Sequence, residues 1–233
     1  QVNLELCKKD FRSDWEAAQM GYSAFDSLPP KFSDFLIGHI AGQVAEQLEQ
    51  TIWSGTNATA GEFDGIETQL AADAYLPTAQ QVAGVAGGVT SANVAAQLAL
   101  IVDAIPNQVY GKEGLKLYVS VNICKAYISH LGGYGASGLG GNGFEGKGSQ
   151  WYTNGSLSFD GIPIFMANGM TADTAVCTYS DNLVFATGLM NDTNEVKVLD
   201  MADLDGSQNV RVIMRYTAAA TYKIVEDIVT YGI

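Results

Sequence analysis

Positive charge is what this 233-residue chain has least of: Lys and Arg total 12 against 25 Asp and Glu, for a net charge of −13 and a pI near 4.3. Affinity for phosphate backbones comes mainly from clustered cations, so this balance argues against a protein that wraps nucleic acid. Histidine is nearly absent. His39 and His130 stand alone, neither in a metal-binding or nucleophile motif, and both read as structural. Cys7, Cys124 and Cys177 are odd in number, widely spaced and unaccompanied by His, which disfavours a disulfide or zinc framework. They are expected to be reduced, buried small hydrophobes. No run is apolar enough for a membrane span, and the longest candidate is interrupted by Asp34, His39, Gln43 and Glu46. No secretory signal is evident, and a start at Gln1 rather than Met reads as a processed or truncated product. Charged residues make up 16% of the chain, against about 25% in ordinary soluble domains. Desolvating charge at an interface is costly, so this deficit suits a subunit whose surface is covered by copies of itself.

The most informative feature present is the segment FSDFLIGHIAGQVAEQLEQTIW, residues 32 to 53. Pro29-Pro30 precedes it and cannot belong to a helix interior, Ser33 or Asp34 can cap it, and Gly55 can stop it. Leu36, Ile40, Val44, Leu48 and Ile52 recur every four residues, with Ile37, Ala41 and Ala45 alongside, so one broad apolar stripe runs down a single long helix. His39, Gln43, Glu46, Gln47, Glu49 and Gln50 hold the other side. Gly38 and Gly42 each cost up to about 1 kcal/mol against Ala in a helix, which predicts that a neighbouring backbone approaches them closely.

Elsewhere the pattern predicts an α+β fold, with helices mostly early and antiparallel hairpins late. Val2, Leu4 and Leu6 alternate with polar residues, predicting a strand that needs a partner upstream of the chain. Thr56 to Gly88 reads as loops with short extended pieces. Ser91 to Ile105 reads as a helix capped by Ser91 and ended by Pro106, Leu115 to Ser120 as a buried strand, and Asn122 to Leu131 as a short helix. The later strands are expected at Leu157 to Phe159, Ile162 to Met166, Ala175 to Tyr179, Leu183 to Thr187, Glu195 to Asp200, Val210 to Tyr216 and Ile228 to Tyr231. Asp160-Gly161, Ser180-Asp181-Asn182 and Asp205-Gly206 mark the turns.

Several patterns resemble chemical motifs and fail on context. Gly133, Gly135 and Gly138 match G-x-G-x-x-G, and Gly141, Gly146 and Lys147 match most of a phosphate loop. Both lie in the glycine-rich stretch Gly132 to Gln150, where such matches arise readily by chance. No helix follows to aim its amides at an anion. Asp200, Asp203 and Asp205 suggest calcium, but an EF-hand frame would put Met201 and Val212 where carboxylates are required. No serine sits in a nucleophile elbow. The sequons at Asn57, Asn154 and Asn191 are about as many as chance supplies. Catalytic, cofactor and metal residues are therefore expected to be none.

The order of elements carries more. LELCKKDFRSDW, Leu28-Pro29-Pro30, the long helix ending Ile52-Trp53-Ser54-Gly55, and GEFDGI at Gly61 to Ile66 together resemble the major capsid proteins of tailed bacteriophages with the HK97 fold. LSFDGIPIFMANGM at Leu157 to Met170, DNLVFATGLMNDTNEVKVLDM at Asp181 to Met201, and the closing segment from Asp205 to Gly232 extend the likeness over nearly the whole chain. The front departs from the pattern, lacking the N-terminal arm and the outgoing strand of the extended loop. The resemblance implies a spine helix at about 33–53 whose apolar stripe packs on its own subunit's sheet. The helix's polar face, His39 through Gln50, would look towards the capsid interior. It also implies a peripheral domain of residues 1–86 plus 201–233 and an axial domain of residues 87–200, with the glycine stretch at an axial or surface tip. The implied function is a non-enzymatic shell protein that assembles with itself into hexamers and pentamers of an icosahedral virion. It would enclose double-stranded DNA without binding it specifically, in company with portal, scaffolding and decoration proteins and no membrane. An encapsulin-type nanocompartment shell is the neighbouring alternative. A nucleotide-binding enzyme using the glycine stretch and a monomeric binding module are the rivals from other classes.

Overall fold

A computed structural model of the chain describes residues 2–7, 10, 32–132, 157–188, 196–202, 206–207 and 209–233. The chain forms two compact units, residues 1–48 with 186–218 and residues 49–185 with 219–233.

In the first unit the opening strand β1 (Val2–Cys7) pairs antiparallel with β9 (Asn209–Met214), which pairs antiparallel with β8 (Val196–Asp200). Its partner thus comes from late in the chain, and among the described residues β1 is an outer strand of this sheet. The long helix α1 (Phe32–Ser54) has 23 residues, about 34 Å of rod at 1.5 Å per residue. Leu36 and Ile40, each 1% exposed, and the half-buried Val44 pack on Val210 and Val212 with Leu6, Val196, Val198 and Met214. Burying each large aliphatic here contributes roughly 1.5–3 kcal/mol. The alternation that turns these valines towards α1 turns Glu5 and Arg211 to the opposite face, where they pair at 2.6 Å. Both ends of that pair are well exposed, so its contribution is small. The apolar stripe is narrower than the sequence pattern indicates, because Ala41 and Ala45 are exposed. The close approach expected at Gly38 and Gly42 is not there. A Cβ on either would meet nothing within 4 Å.

The second unit is built on a six-stranded sheet in the order β2-β11-β6-β3-β5-β4, comprising Gln81–Val82, Val229–Tyr231, Ala175–Tyr179, Leu115–Val119, Ile162–Met166 and Ser158–Phe159. It is mixed, with β3 parallel to β5 and β2 parallel to β11, where antiparallel hairpins were expected for the late strands. The central strands LKLYV and AVCTY are apolar on both faces because both are covered. On one side Leu117, Val119, Ala175, Cys177, Val229 and Tyr231 join Val94, Leu98 and Ile101 of α3 (Val94–Asp103) and Ile123, Cys124 and Tyr127 of α4 (Val121–Gly132). On the other, Tyr118, Val176 and Ile228 join Trp53, Ile66 and Leu70. The last two come from α2 (Ile66–Ala72), a helix in the segment expected to be loop. At seven residues and with no side-chain cap on Gly65, it is too short to announce itself by periodicity. β7 (Leu183–Thr187) and β10 (Ala218–Tyr222) form a two-stranded ribbon. β10 was unforeseen because AAATY is poor in branched residues.

Helix α3 starts later than expected. Asn93, not Ser91, shapes its entry, its side-chain oxygen accepting from Thr90 N at 2.7 Å. The Asp160-Gly161 turn is confirmed, both residues having positive φ (48° and 78°), as a tight primed hairpin turn requires. The glycine stretch beyond Gly132, with its two phosphate-loop look-alikes, lies outside the described residues.

Candidate functional site

Among the described residues, those weighed for chemistry do not converge. Exposed His39 takes a contact from the Gln43 amide one turn on, at 3.3 Å. His130 donates from Nδ1 to the Ser91 carbonyl at 2.8 Å, tying the end of α4 to the segment before α3. All three cysteines are free. Cys124 and Cys177 are buried as expected, and burial pushes the Cys177 thiol up to about 12, so it is neither nucleophile nor metal ligand at neutral pH. Cys7 departs from expectation. It is half-buried on the edge strand β1. Asp200 Oδ1 accepts from Ala202 N at 3.0 Å, which makes it a turn residue, while Asp203 and Asp205 lie outside the described residues. Among the described residues, no group of three or more His, Cys, Asp or Glu is placed to hold a metal ion, and no helix is long and apolar enough to cross a membrane.

Polar side chains do converge around the loop at residues 167–174, between β5 and β6, where it meets the last turns of α1 and the start of α2. Asn168 N donates to Glu49 Oε1 at 3.1 Å, and Ser54 Oγ donates to the Gly169 carbonyl at 2.9 Å. Gly169 is there because nothing larger fits. A Cβ would run into the Glu49 carbonyl and lie 2.7 Å from Gln50 Cα. Glu67, 6% exposed, accepts from Thr171 N (3.1 Å), Thr171 Oγ1 (2.7 Å) and Thr174 Oγ1 (2.5 Å). Asp173, held at φ 62°, accepts from Val89 N (2.8 Å) and Asn122 Nδ2 (2.6 Å) and donates its own amide to Asn122 Oδ1. Glu67 answers backbone and hydroxyl donors and Asp173 backbone and side-chain amide donors, which satisfies polar groups and sets up no nucleophile–base pair. A shallow pocket of about 270 Å³ opens beside Glu67, lined also by Ser54, Thr68, Ala71, Thr171 and Ile233.

Two further networks hold the second unit. Asn182, fully buried, donates to Thr178 Oγ1 and the Ile224 carbonyl and accepts from Lys223 N and Ile224 N. Tyr222 donates to Asp73 Oδ2 at 2.6 Å. That hydroxyl, helped by the Tyr75 amide, holds the Asp73 carboxyl below its ordinary range, while burial and then Asp73 push the tyrosine up. Sequence reasoning missed Glu67, Asp173 and Asn182 because they find hydrogen-bond partners up to 107 positions away, which no local spacing encodes.

The long helix presents His39, Gln43, Glu46, Gln47 and Gln50 as exposed positions. No family model and no curated protein matches the sequence. Solved structures do match, end to end. The capsid of a native GTA particle superposes with a TM-score of 0.58 at 15% identity, covering 99% of this chain and 70% of that one. The satellite phage P4 procapsid gives 0.54 at 12%, covering 99% and 73%. The fold is that of HK97-like capsid proteins. A holo-SrpI encapsulin complex from Synechococcus elongatus shares it, with a TM-score of 0.54 at 10% identity over 99% of this chain and 72% of that one. Within this chain α1 packs as the resemblance implied. Its apolar side packs on the sheet of its own subunit at Leu36, Ile40 and Val44.

Proposed function

We propose that the protein is the major capsid protein of a tailed bacteriophage, a structural subunit that assembles with itself into the icosahedral shell enclosing a double-stranded DNA genome. The observation that carries this reading is the HK97-like fold over 99% of the chain, with TM-scores up to 0.58. The charge-poor composition supports extensive subunit contacts, and the net charge of −13 suits a shell that does not grip what it encloses. Its role is structural rather than catalytic. Residues 1–86 with 201–233 form the peripheral domain and residues 87–200 the axial domain. The pairing of β1 with β9 and the packing of α1 on them support the first assignment, and the β3, β5 and β6 sheet with α3 and α4 supports the second. Hexamers and pentamers of this subunit make the shell, which is completed in the host cytoplasm with portal, scaffolding and decoration proteins, and the polar face of α1 lines the interior. Electron microscopy of the purified protein tests the reading. Rings or closed shells are expected, and uniform monomers at high concentration would overturn it.

The encapsulin match gives a second reading, a nanocompartment shell around a cargo enzyme. The contents decide. Shells isolated from cells carrying DNA favour the capsid, and shells carrying one co-purifying protein favour the nanocompartment.

A further inference from the structure

The loop at residues 167–174 carries an Asn168–Gly169 pair, and asparagine before glycine can modify itself. The glycine has no Cβ to keep its amide away from the asparagine side chain. In the reaction Gly169 N attacks Asn168 Cγ, the side-chain nitrogen leaves with the amide proton as ammonia, and a five-membered succinimide closes. Water then adds to one of the two ring carbonyls. The ring reopens to aspartate, or to isoaspartate with the main chain routed through the side-chain carbon.

The reacting groups are available and the backbone that joins them is not. The Asn168 side chain is exposed, so water reaches it. Among the described residues neither that side chain nor the Gly169 amide makes a hydrogen bond. The main chain around them is seated on the end of α1. Asn168 N donates to Glu49 Oε1 at 3.1 Å, and the Gly169 carbonyl accepts from Ser54 Oγ at 2.9 Å. Gly169 lies so close to the helix that a Cβ would stand 2.7 Å from Gln50 Cα. Met170 N closes a turn on the Ala167 carbonyl at 3.4 Å, and with no positive φ at Asn168 or Gly169 that turn is of the type I class. Closing the succinimide needs Asn168 Cβ swung into the plane of the following peptide, roughly a quarter-turn from where a type I turn holds it. That rotation lifts Gly169 off its seat. We propose that Asn168–Gly169 is a self-modification site that the last turns of α1 hold dormant, and that deamidation makes a release of the loop from α1 one-way. Either product places a carboxylate on the residue whose amide Glu49 accepts, and like charges so close repel. Isoaspartate also lengthens the main chain by one methylene.

Mass spectrometry of peptides spanning position 168, from the full chain aged with and without urea, tests this, with an isoaspartyl methyltransferase counting the isomer. Native protein should be modified at Asn168 about tenfold or more slowly than urea-unfolded protein, because the reaction proceeds only from the open fraction. Ser54→Ala and Glu49→Ala each take a hydrogen bond from the seat, so each should speed the native reaction about two- to tenfold and leave the unfolded rate unchanged. Asn168→Gln, whose ring would have six members, should stay intact. Protein carrying the modification should unfold at lower urea than unmodified protein. A native rate equal to the unfolded one, or no modification even in urea, overturns the dormant site. Folded variants that react no faster than wild type overturn the part given to α1, and if one variant fails to fold the other decides. An unchanged urea midpoint after modification overturns the one-way step.

Discussion

The same substitution, Gly→Ala, should act with opposite sign at two glycines, one within α1 and one packed against its last turns. At Gly42, in the exposed interior of α1, a Cβ meets nothing within 4 Å. Alanine there should therefore recover its helix-propensity advantage of about 1 kcal/mol. At Gly169 the added Cβ is driven into the Glu49 carbonyl and to 2.7 Å from Gln50 Cα, both main-chain atoms that cannot rotate away. Forcing such an overpacked contact apart costs roughly 1–3 kcal/mol. The shift also loosens the Asn168 N–Glu49 and Ser54–Gly169 hydrogen bonds, at about 0.5–1.5 kcal/mol each. Gly169→Ala should destabilise the second unit by about 2–4 kcal/mol, leaving the two variants about 3–5 kcal/mol apart. Urea unfolding at concentrations below assembly measures both. Tryptophan fluorescence follows Trp53, which is 7% exposed and has its ring centre 5.3 Å from that of Tyr118, tilted at 44°, in the second unit. Far-UV circular dichroism follows the whole, since two units need not unfold together. Wild-type stability for Gly169→Ala would refute the close approach of the loop to α1. Destabilisation by Gly42→Ala would show that the open face of α1 is covered within the subunit.

Three more expectations follow from particular groups. Asn182→Ala strips partners from Thr178 Oγ1 and from the Ile224 amide and carbonyl at once, while Lys223 N keeps its bond to the Asn182 main-chain carbonyl, so a loss of about 2–3 kcal/mol is expected in urea unfolding; a loss under 1 kcal/mol would mean water replaces the amide freely. In the native protein Cys7 should react with an aromatic disulfide reagent while Cys124 and Cys177 stay silent until urea is added, since burial pushes the Cys177 thiol up to about 12; prompt reaction of all three would contradict the core assignment. The Asp73 carboxyl is lowered from 3.8 by Tyr222 and the Tyr75 amide. Its stabilising contribution is therefore full above pH 3.8 and lost as pH falls through the lower folded value. Asp73→Asn should flatten that part of the acid limb of a stability–pH curve, and an unchanged limb would show that other groups set it.

Periodicity made the elements legible. Leu36, Ile40 and Val44 mark the buried side of α1, and the strands Ile162–Met166, Ala175–Tyr179 and Leu183–Thr187 fall where alternation and turn residues place them. The short pieces were not legible. α2 and β10 have too few residues for a period to show, and AAATY carries little intrinsic preference for a strand.

By itself the sequence determined where chain becomes helix or strand, and through the order of those elements it pointed to the capsid fold, because local patterns follow from which side chains must leave water. Only the tertiary structure decided which strands pair, including β1 with β9 and β11 with β6, across some two hundred positions in the first case. It also decided that Gly169 rather than Gly38 or Gly42 is the glycine of close approach, and that Glu67 meets Thr171 and Thr174 in the core. Those facts depend on contacts between residues far apart in the chain, and no spacing along the backbone records a distance measured through the fold.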